Sequence, residues 1–138
     1  MKNLITFMLI SVLTLTLGAG AFAEQIYTGL VVDARELNVD PSKSPKIYDT
    51  AGTEIFGTMD INPEYVIKVG IVQYERTIYD AIINGTAGNN PIVVRAIRRG
   101  THPYRSDVII SVEDGKWIRR ADKKSYFLEL LKVVFIID

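Results

Sequence analysis

The chain of 138 residues has no cysteine and a single histidine, His102. The absence of cysteine excludes disulfides, thiol catalysis, cysteine-bound metals and lipid attachment through a lipobox cysteine. One imidazole with scattered carboxylates lacks the spacing of a metal site, and His102 lies in a Gly-Thr-His-Pro turn that we expect to be exposed. No stretch shows the nucleophile elbow of a serine hydrolase. The sequence therefore predicts no metal, no cofactor and no enzymatic activity.

An excess of charge of either sign is also missing. Lys plus Arg number 16 and Asp plus Glu number 16, so the formal net charge is zero. Without a basic excess, the overall field favours neither nucleic acid nor an anionic membrane, and we expect no nucleic-acid partner. Hydrophobic residues reach 48%, which is enough for a packed core and argues against disorder.

Long hydrophobic runs are confined to the start of the chain. Lys2 precedes an apolar stretch from Leu4 to Phe22, and Ala21-Phe22-Ala23 places small residues at the −3 and −1 positions of a cleavage site. The stretch is near the lower limit for a membrane anchor, but Ser, Thr and Gly interrupt it. We therefore favour a signal peptide over residues 1–23 and a single mature domain over residues 24–138. This predicts a periplasmic or secreted protein with no stable membrane anchor after cleavage.

The mature chain alternates strand and helix signals. Predicted strands cover 26–34, 71–75, 92–98, 107–111 and 130–137, and a predicted hairpin covers 46–57. Three helices are predicted from their caps. The first follows Asn62 and runs to Lys68, the second follows Thr77 and begins at Ile78, and the third follows Ser111 and runs to about Ala121. In residues 65–84 the apolar side chains fit both the spacing of a helix and the alternation of a strand, so the pattern does not choose between them. Gly70 argues against one long helix through this segment. The mixture predicts an α+β domain with a single mixed or antiparallel sheet and helices packed against it.

The carboxylates are grouped only locally. Asp33 with Glu36, and Asp60 with Glu64, are close in sequence and do not suggest two acids facing each other across a cleft. Asp33 ends an apolar strand and Arg35 follows it closely. We therefore expect Asp33 to pair with an arginine or to accept hydrogen bonds from loop amides, which is a structural role.

Arginines are the most distinctive charged residues. They surround the turn predicted between strands 92–98 and 107–111, and they recur on the following helix. The candidate residues for binding an anion or a partner are Arg95, Arg98, Arg99, Arg105, Arg119 and Arg120. If the turn and the helix meet, the patch can hold phosphate, a glycan carboxylate or an acidic protein. The alternative is a set of solvated strand ends and a helix flank balanced by nearby acids.

Several short motifs together resemble a known group of proteins. They are T-G-L-V-V-D-A-R-E-L (28–37), S-P-K-I-Y-D (44–49), G-T-E-I-F-G (52–57), N-N-P-I-V-V-R-A (89–96), V-I-I-S (108–111) and the tail V-V-F-I-I-D. In this order they resemble exported bacterial envelope proteins related to the LPP-type small lipoproteins and the flagellar assembly proteins P and T. The resemblance implies a compact α+β domain without known catalysis, used in envelope or flagellar-basal assemblies. The chain departs from that group in lacking the lipidated cysteine and in having Glu36 where a glycine is expected.

Two functional hypotheses follow. The first is a non-enzymatic exported protein that acts as a structural or assembly component of the cell envelope, by self-association or by docking onto protein partners. The alternative is a periplasmic binding module that uses the arginine patch for an anionic ligand or glycan.

Overall fold

The computed structural model describes residues 25–138, so the predicted signal peptide lies outside the described residues. Within them the strands are β1 (Gly29–Asp33), β2 (Ile47–Asp49), β3 (Glu54–Phe56), β4 (Gln73–Glu75), β5 (Pro91–Arg95), β6 (Arg98–Arg99), β7 (Val108–Ile110) and β8 (Val133–Ile136). The helices are α1 (Pro63–Lys68), α2 (Ile78–Asn84) and α3 (Val112–Ser125). The predicted α+β class is confirmed, with strands and helices close to the expected positions.

Four strands form a parallel sheet, sheet 1, in the order β4-β8-β1-β5. Its central strands β1 and β8 are buried on both faces, as expected for apolar β-branched runs in a parallel sheet. The C-terminal tail supplies β8, which lies between β1 and β4 with Val134 opposite Val31. The tail is therefore an interior strand of the sheet.

The other four strands form sheet 2, in the order β3-β2-β7-β6. The predicted hairpin is present as the antiparallel pair β2 and β3. β7 lies parallel to β2, and β6 lies antiparallel to β7. The prediction of a single sheet was thus wrong in this respect, since the described strands divide into a parallel sheet and a mixed one.

The division falls inside the segment predicted as one strand, 92–98. The backbone N–H of Ala96 donates to Asp33 O in sheet 1, whereas the N–H of the next residue, Ile97, donates to Ile109 O in sheet 2. The chain therefore changes sheets between two consecutive residues. The turn at 100–107 therefore joins β6 to β7 within sheet 2, whereas β5, the first part of the predicted strand, belongs to sheet 1.

The helix starts follow the capping residues found in the sequence. Asn62 accepts from Glu64 N–H, Thr77 from Asp80 N–H and Ser111 from Asp114 N–H. Such side-chain acceptors satisfy amides that have no partner inside the helix. α3 continues to Ser125, beyond the predicted end near Ala121.

The main core lies between the two sheets. Fully buried members come from both sheets, from α3 and from the segment after it, and they include Leu30, Val32, Ile47, Ile92, Val108, Ile110, Ile118, Phe127, Val133 and Phe135. A smaller cluster on the other face of sheet 1, Val31, Ala81, Ala87, Val134 and Ile136, lies under α2. None of the helices in residues 25–138 has the length and hydrophobicity that crossing a membrane requires.

The turn after β1 contains the residue that departs from the expected glycine. Glu36 has a φ of 69°, in the left-handed region that favours glycine. Its backbone N–H donates to the Asp138 carboxylate at 2.6 Å. The turn therefore holds a residue other than glycine in the left-handed region, and the Asp138 carboxylate binds its backbone N–H.

Candidate functional site

An open cavity of about 740 Å³ lies beside β6 and the turn that connects it to β7. We call it the hairpin cavity. Two of the candidate arginines, Arg98 and Arg99, line it together with Lys46, Tyr48, Asp107 and Ile109. Loop residues on either side complete the wall: Ser42, Ser44, Gly100, Thr101, Pro103, Tyr104 and Ser106.

The cavity lies on the face of sheet 2 that points away from the core. Ile109 is the register partner of both Tyr48 on β2 and Arg98 on β6. Side chains alternate between the two faces of a strand, so these three share a face, while Val108 and Ile110 are buried on the other. The floor of the cavity is therefore the uncovered side of the sheet.

The two arginines of the cavity differ in their hydrogen bonding. The Arg98 side chain has no hydrogen bond or ion pair with any other residue in the described range 25–138. Arg99 donates from Nη1 to Gly100 O at 3.0 Å, while its Nε is buried and has no partner among those residues. Both guanidinium groups therefore keep donors that the described part of the protein does not use.

Lys46 contributes less positive charge to the cavity than its position suggests. Its Nζ lies 2.8 Å from Glu54 Oε1, and this hydrogen bond raises the pKa of the Lys46 ammonium and lowers the pKa of the Glu54 carboxyl. Glu54 also accepts from the Thr58 hydroxyl at 3.0 Å. The positive charge of Lys46 is thus balanced by the carboxylate of Glu54 on the neighbouring strand β3.

Asp107 anchors the turn to the rest of sheet 2. Its buried carboxylate accepts from the backbone N–H of Lys46 at 2.8 Å, and its backbone O accepts from Gly100 N–H at 2.8 Å. A Cβ at Gly100 would lie 2.2 Å from Tyr104 O, so this close backbone approach requires glycine. These contacts hold the wall of the cavity in place.

The remaining candidate arginines lie elsewhere. Arg95, at the end of β5, pairs with Asp33 at 2.9 Å and donates to Arg35 O at 2.7 Å. Arg105 pairs with Asp40 at 2.9 Å. The structure therefore engages these two side chains in contacts that hold turns together.

The arginines of α3 are also separate from the hairpin cavity. α3 contacts β2 and β3, while β6 is at the opposite edge of sheet 2. Arg119 is exposed, and Arg120 lines a different and smaller cavity beside Tyr27 and Trp117. The turn and the helix thus do not form the joint patch that the sequence suggested, and the six arginines divide into several locations.

The other candidate groups have structural surroundings. Asp33 accepts from the side chain of Arg35, which lowers the pKa of its carboxyl, and it lies close to Arg95. This confirms the expected pairing of the strand-end acid. His102 is exposed, and residues 25–138 contain no group of three or more histidines or acids placed to hold a metal ion.

Sequence reasoning missed several cavity residues, above all Tyr48, Lys46 and Asp107. They are distant in sequence from the arginines and meet them through the pairing of β2 with β7. The alternation of side chains along 46–48 places Lys46 and Tyr48 on one face of the hairpin, and this was the only sign in the sequence that they could line a site together. The partner strand of that face was not evident from the sequence.

The fold and the site together define an α+β domain with two sheets and an open, arginine-lined cavity on one of them. A family model described as Treponema pallidum Tp0624, second domain, matches residues 29–138. The chain belongs to this family. The expected membership of the LPP-type and flagellar P and T group is thereby corrected, since short shared motifs of apolar strands led to the wrong family. No curated protein matches the chain.

Proposed function

We propose that this protein is a non-enzymatic, exported structural or assembly component of the bacterial cell envelope that acts through protein–protein contacts. The leader in the sequence supports export. The observation that carries the proposal is an exposed apolar surface on α2, the helix that packs on sheet 1. Exposed patches of this kind are typical of interaction sites.

The outer face of α2 is apolar although it faces solvent. Tyr79 is 71% exposed and Ile83 is 59% exposed, while Ala81 on the inner face is fully buried. A helix that needed only to cover sheet 1 would carry polar residues on its outer face. The apolar outer face therefore supports a contact with a protein surface.

This surface continues toward β5. Asn84, on one flank of α2, donates to Glu75 on β4 at 2.6 Å, so Ile82 on the opposite flank faces the β5 side of the sheet. Ile82 and Val93 of β5 are both exposed. In residues 25–138, β5 pairs with β1 alone, which leaves its outer edge available to another strand.

Light scattering on residues 24–138 over a range of concentrations tests the proposal. We expect an oligomer, or a monomer that forms a defined complex with an envelope protein. Replacing Ile82 and Ile83 by Ser should abolish the association, because both side chains are exposed and their loss leaves the core intact. The matched control is Ile67→Ser on α1, which is equally apolar and more exposed. A strict monomer that binds no envelope partner would overturn the proposal.

A further inference from the structure

We propose that the hairpin cavity binds a small acidic saccharide, with the sugar's carboxylate held by Arg98 and its ring lying over Tyr48. This inference goes beyond the assembly function and concerns a different surface. It narrows the six candidate arginines to Arg98, which lines the cavity, shares a face of sheet 2 with Tyr48 and has no side-chain partner in residues 25–138.

The balance of charge in the cavity favours an anion. Lys46 is paired with Glu54, and Asp107 is the one carboxylate among the described lining residues. Asp107 is buried and accepts from the Lys46 amide, so it belongs to the framework of the turn. Arg98, which is exposed, therefore leaves an unbalanced positive charge on the open side of the cavity.

The donors of Arg98 suit a planar carboxylate. The Arg98 guanidinium has no partner in residues 25–138 and retains its full set of N–H groups. An arginine fork binds a carboxylate through two parallel hydrogen bonds, which are stronger than those between neutral groups. Arg99 also lines the cavity, but its Nη1 already donates to Gly100 O and its register partner is Val108 on the opposite face, so the proposal does not use its side chain.

The rest of the cavity suits a sugar ring more than a bare anion. Its volume of about 740 Å³ is far larger than a single phosphate or acetate requires. Tyr48 and Ile109 offer an apolar floor against which the C–H face of a ring can pack. Hydroxyl groups of Ser42, Ser44, Thr101 and Ser106 line the walls, and each both donates and accepts hydrogen bonds. A sugar ring that carries several hydroxyl groups and one carboxylate matches this arginine, apolar floor and hydroxyl-lined wall.

Calorimetric titration of residues 24–138 with D-glucuronate tests the proposal, with D-glucose and acetate as comparison ligands. We expect D-glucuronate to bind and both comparison ligands to bind at least about tenfold more weakly. D-glucose lacks the carboxylate that Arg98 would hold, and acetate lacks the sugar ring that would pack over Tyr48. Arg98→Gln should weaken D-glucuronate binding by about tenfold or more. Arg120→Gln, which removes an exposed arginine outside the cavity, should leave binding unchanged.

The possible results separate cleanly. Absence of D-glucuronate binding, or equal binding by wild type and Arg98→Gln, would overturn the proposal. Equal affinity for acetate and D-glucuronate would also overturn it, since the cavity would then hold an adventitious ion only. The oligomeric mass of Arg98→Gln should match that of the wild type, so failure of this site and failure of the assembly function are distinguishable. A circular dichroism melt of each variant confirms that it is folded.

Discussion

Asp33 and Arg95 are register partners at the carboxyl ends of the adjacent parallel strands β1 and β5, and their side chains form an ion pair of 2.9 Å. Arg35 donates from Nε and Nη2 to the two oxygens of the same carboxylate at 2.9 and 2.8 Å. Asp33 is buried, while both arginines keep part of their surface in solvent. One carboxylate therefore joins the end of β1, the turn that follows it and the end of β5.

Replacing Asp33 by Asn should destabilise the protein. The substitution keeps the shape of the side chain but leaves two arginines facing a neutral amide. Hydrogen bonds to charged groups contribute more than neutral ones, although solvent screens the exposed arginines, so we expect the free energy of unfolding to fall by roughly 1–3 kcal/mol. Urea denaturation measures this change.

The matched control for this substitution is Glu36→Gln. Glu36 contacts Arg95 at 3.7 Å, and its side chain is 86% exposed. Its replacement should change the free energy of unfolding by no more than about 0.5 kcal/mol. If Asp33→Asn were as stable as Glu36→Gln, the carboxylate would not hold the strand ends together.

The contribution of Asp33 should depend on pH. The hydrogen bond from the Arg35 side chain holds the pKa of the Asp33 carboxyl below its usual value in the folded protein. Its stabilising effect is therefore fully present above the unfolded pKa of about 3.9, and it is lost as the pH falls through the lower folded pKa. The stability difference between wild type and Asp33→Asn should be constant from pH 7 to about 5 and should shrink on further acidification. A difference that grew in acid would contradict this assignment.

Gly29 should not tolerate a methyl group. A Cβ at Gly29 would lie 2.3 Å from the backbone oxygen of Ala87, which also accepts from the Thr28 hydroxyl at 2.8 Å. Backbone atoms held in this way cannot easily move, so Gly29→Ala should lower the free energy of unfolding by about 1–3 kcal/mol. Thermal denaturation followed by circular dichroism checks this.

Gly115 in α3 is the matched glycine for comparison. A Cβ there would lie 2.9 Å from Ile55 Cδ1, which is the end of a flexible side chain. Alanine gains about 1 kcal/mol over glycine in a helix interior, which offsets the cost of moving Ile55. Gly115→Ala should therefore remain within about 1 kcal/mol of the wild type. A larger loss at Gly115 than at Gly29 would contradict the packing argument.

Removal of residues 133–138 should abolish folding. β8 lies between β1 and β4, and the side chains of Val133–Ile136 are fully buried. Loss of Phe135 alone would cost about 3–5 kcal/mol, and a domain of this kind has a total stability of about 5–15 kcal/mol. We expect the shortened chain to show no cooperative thermal transition.

Deletion of Asp138 alone provides the control for this truncation. It removes the 2.6 Å hydrogen bond that the Asp138 carboxylate accepts from the backbone N–H of Glu36, and it leaves β8 intact. This variant should melt cooperatively at a slightly lower temperature. A cooperative transition in the chain that lacks residues 133–138 would show that β8 is dispensable.

The helix starts could be predicted because capping is local. Thr77 and Ser111 each act on an amide three residues ahead, so the signal lies within a few residues of sequence. The division into two sheets could not be predicted in the same way. Ala96 and Ile97 are consecutive but bond to different sheets, and their partners Asp33 and Ile109 are remote from each other in sequence.

The sequence by itself determined the α+β class, most of the strands and helices of residues 25–138, and the types of side chain available for binding. It did so because hydrophobic periodicity and capping act over short distances along the chain. The tertiary structure alone decided which arginine side chains are left without a partner among the described residues and can bind a ligand. Asp33 and Asp40 engage Arg95 and Arg105 in ion pairs, while strand pairing brings Arg98 onto the same face of a sheet as Tyr48. Such contacts join residues far apart in sequence, so they depend on the complete packing of the two sheets.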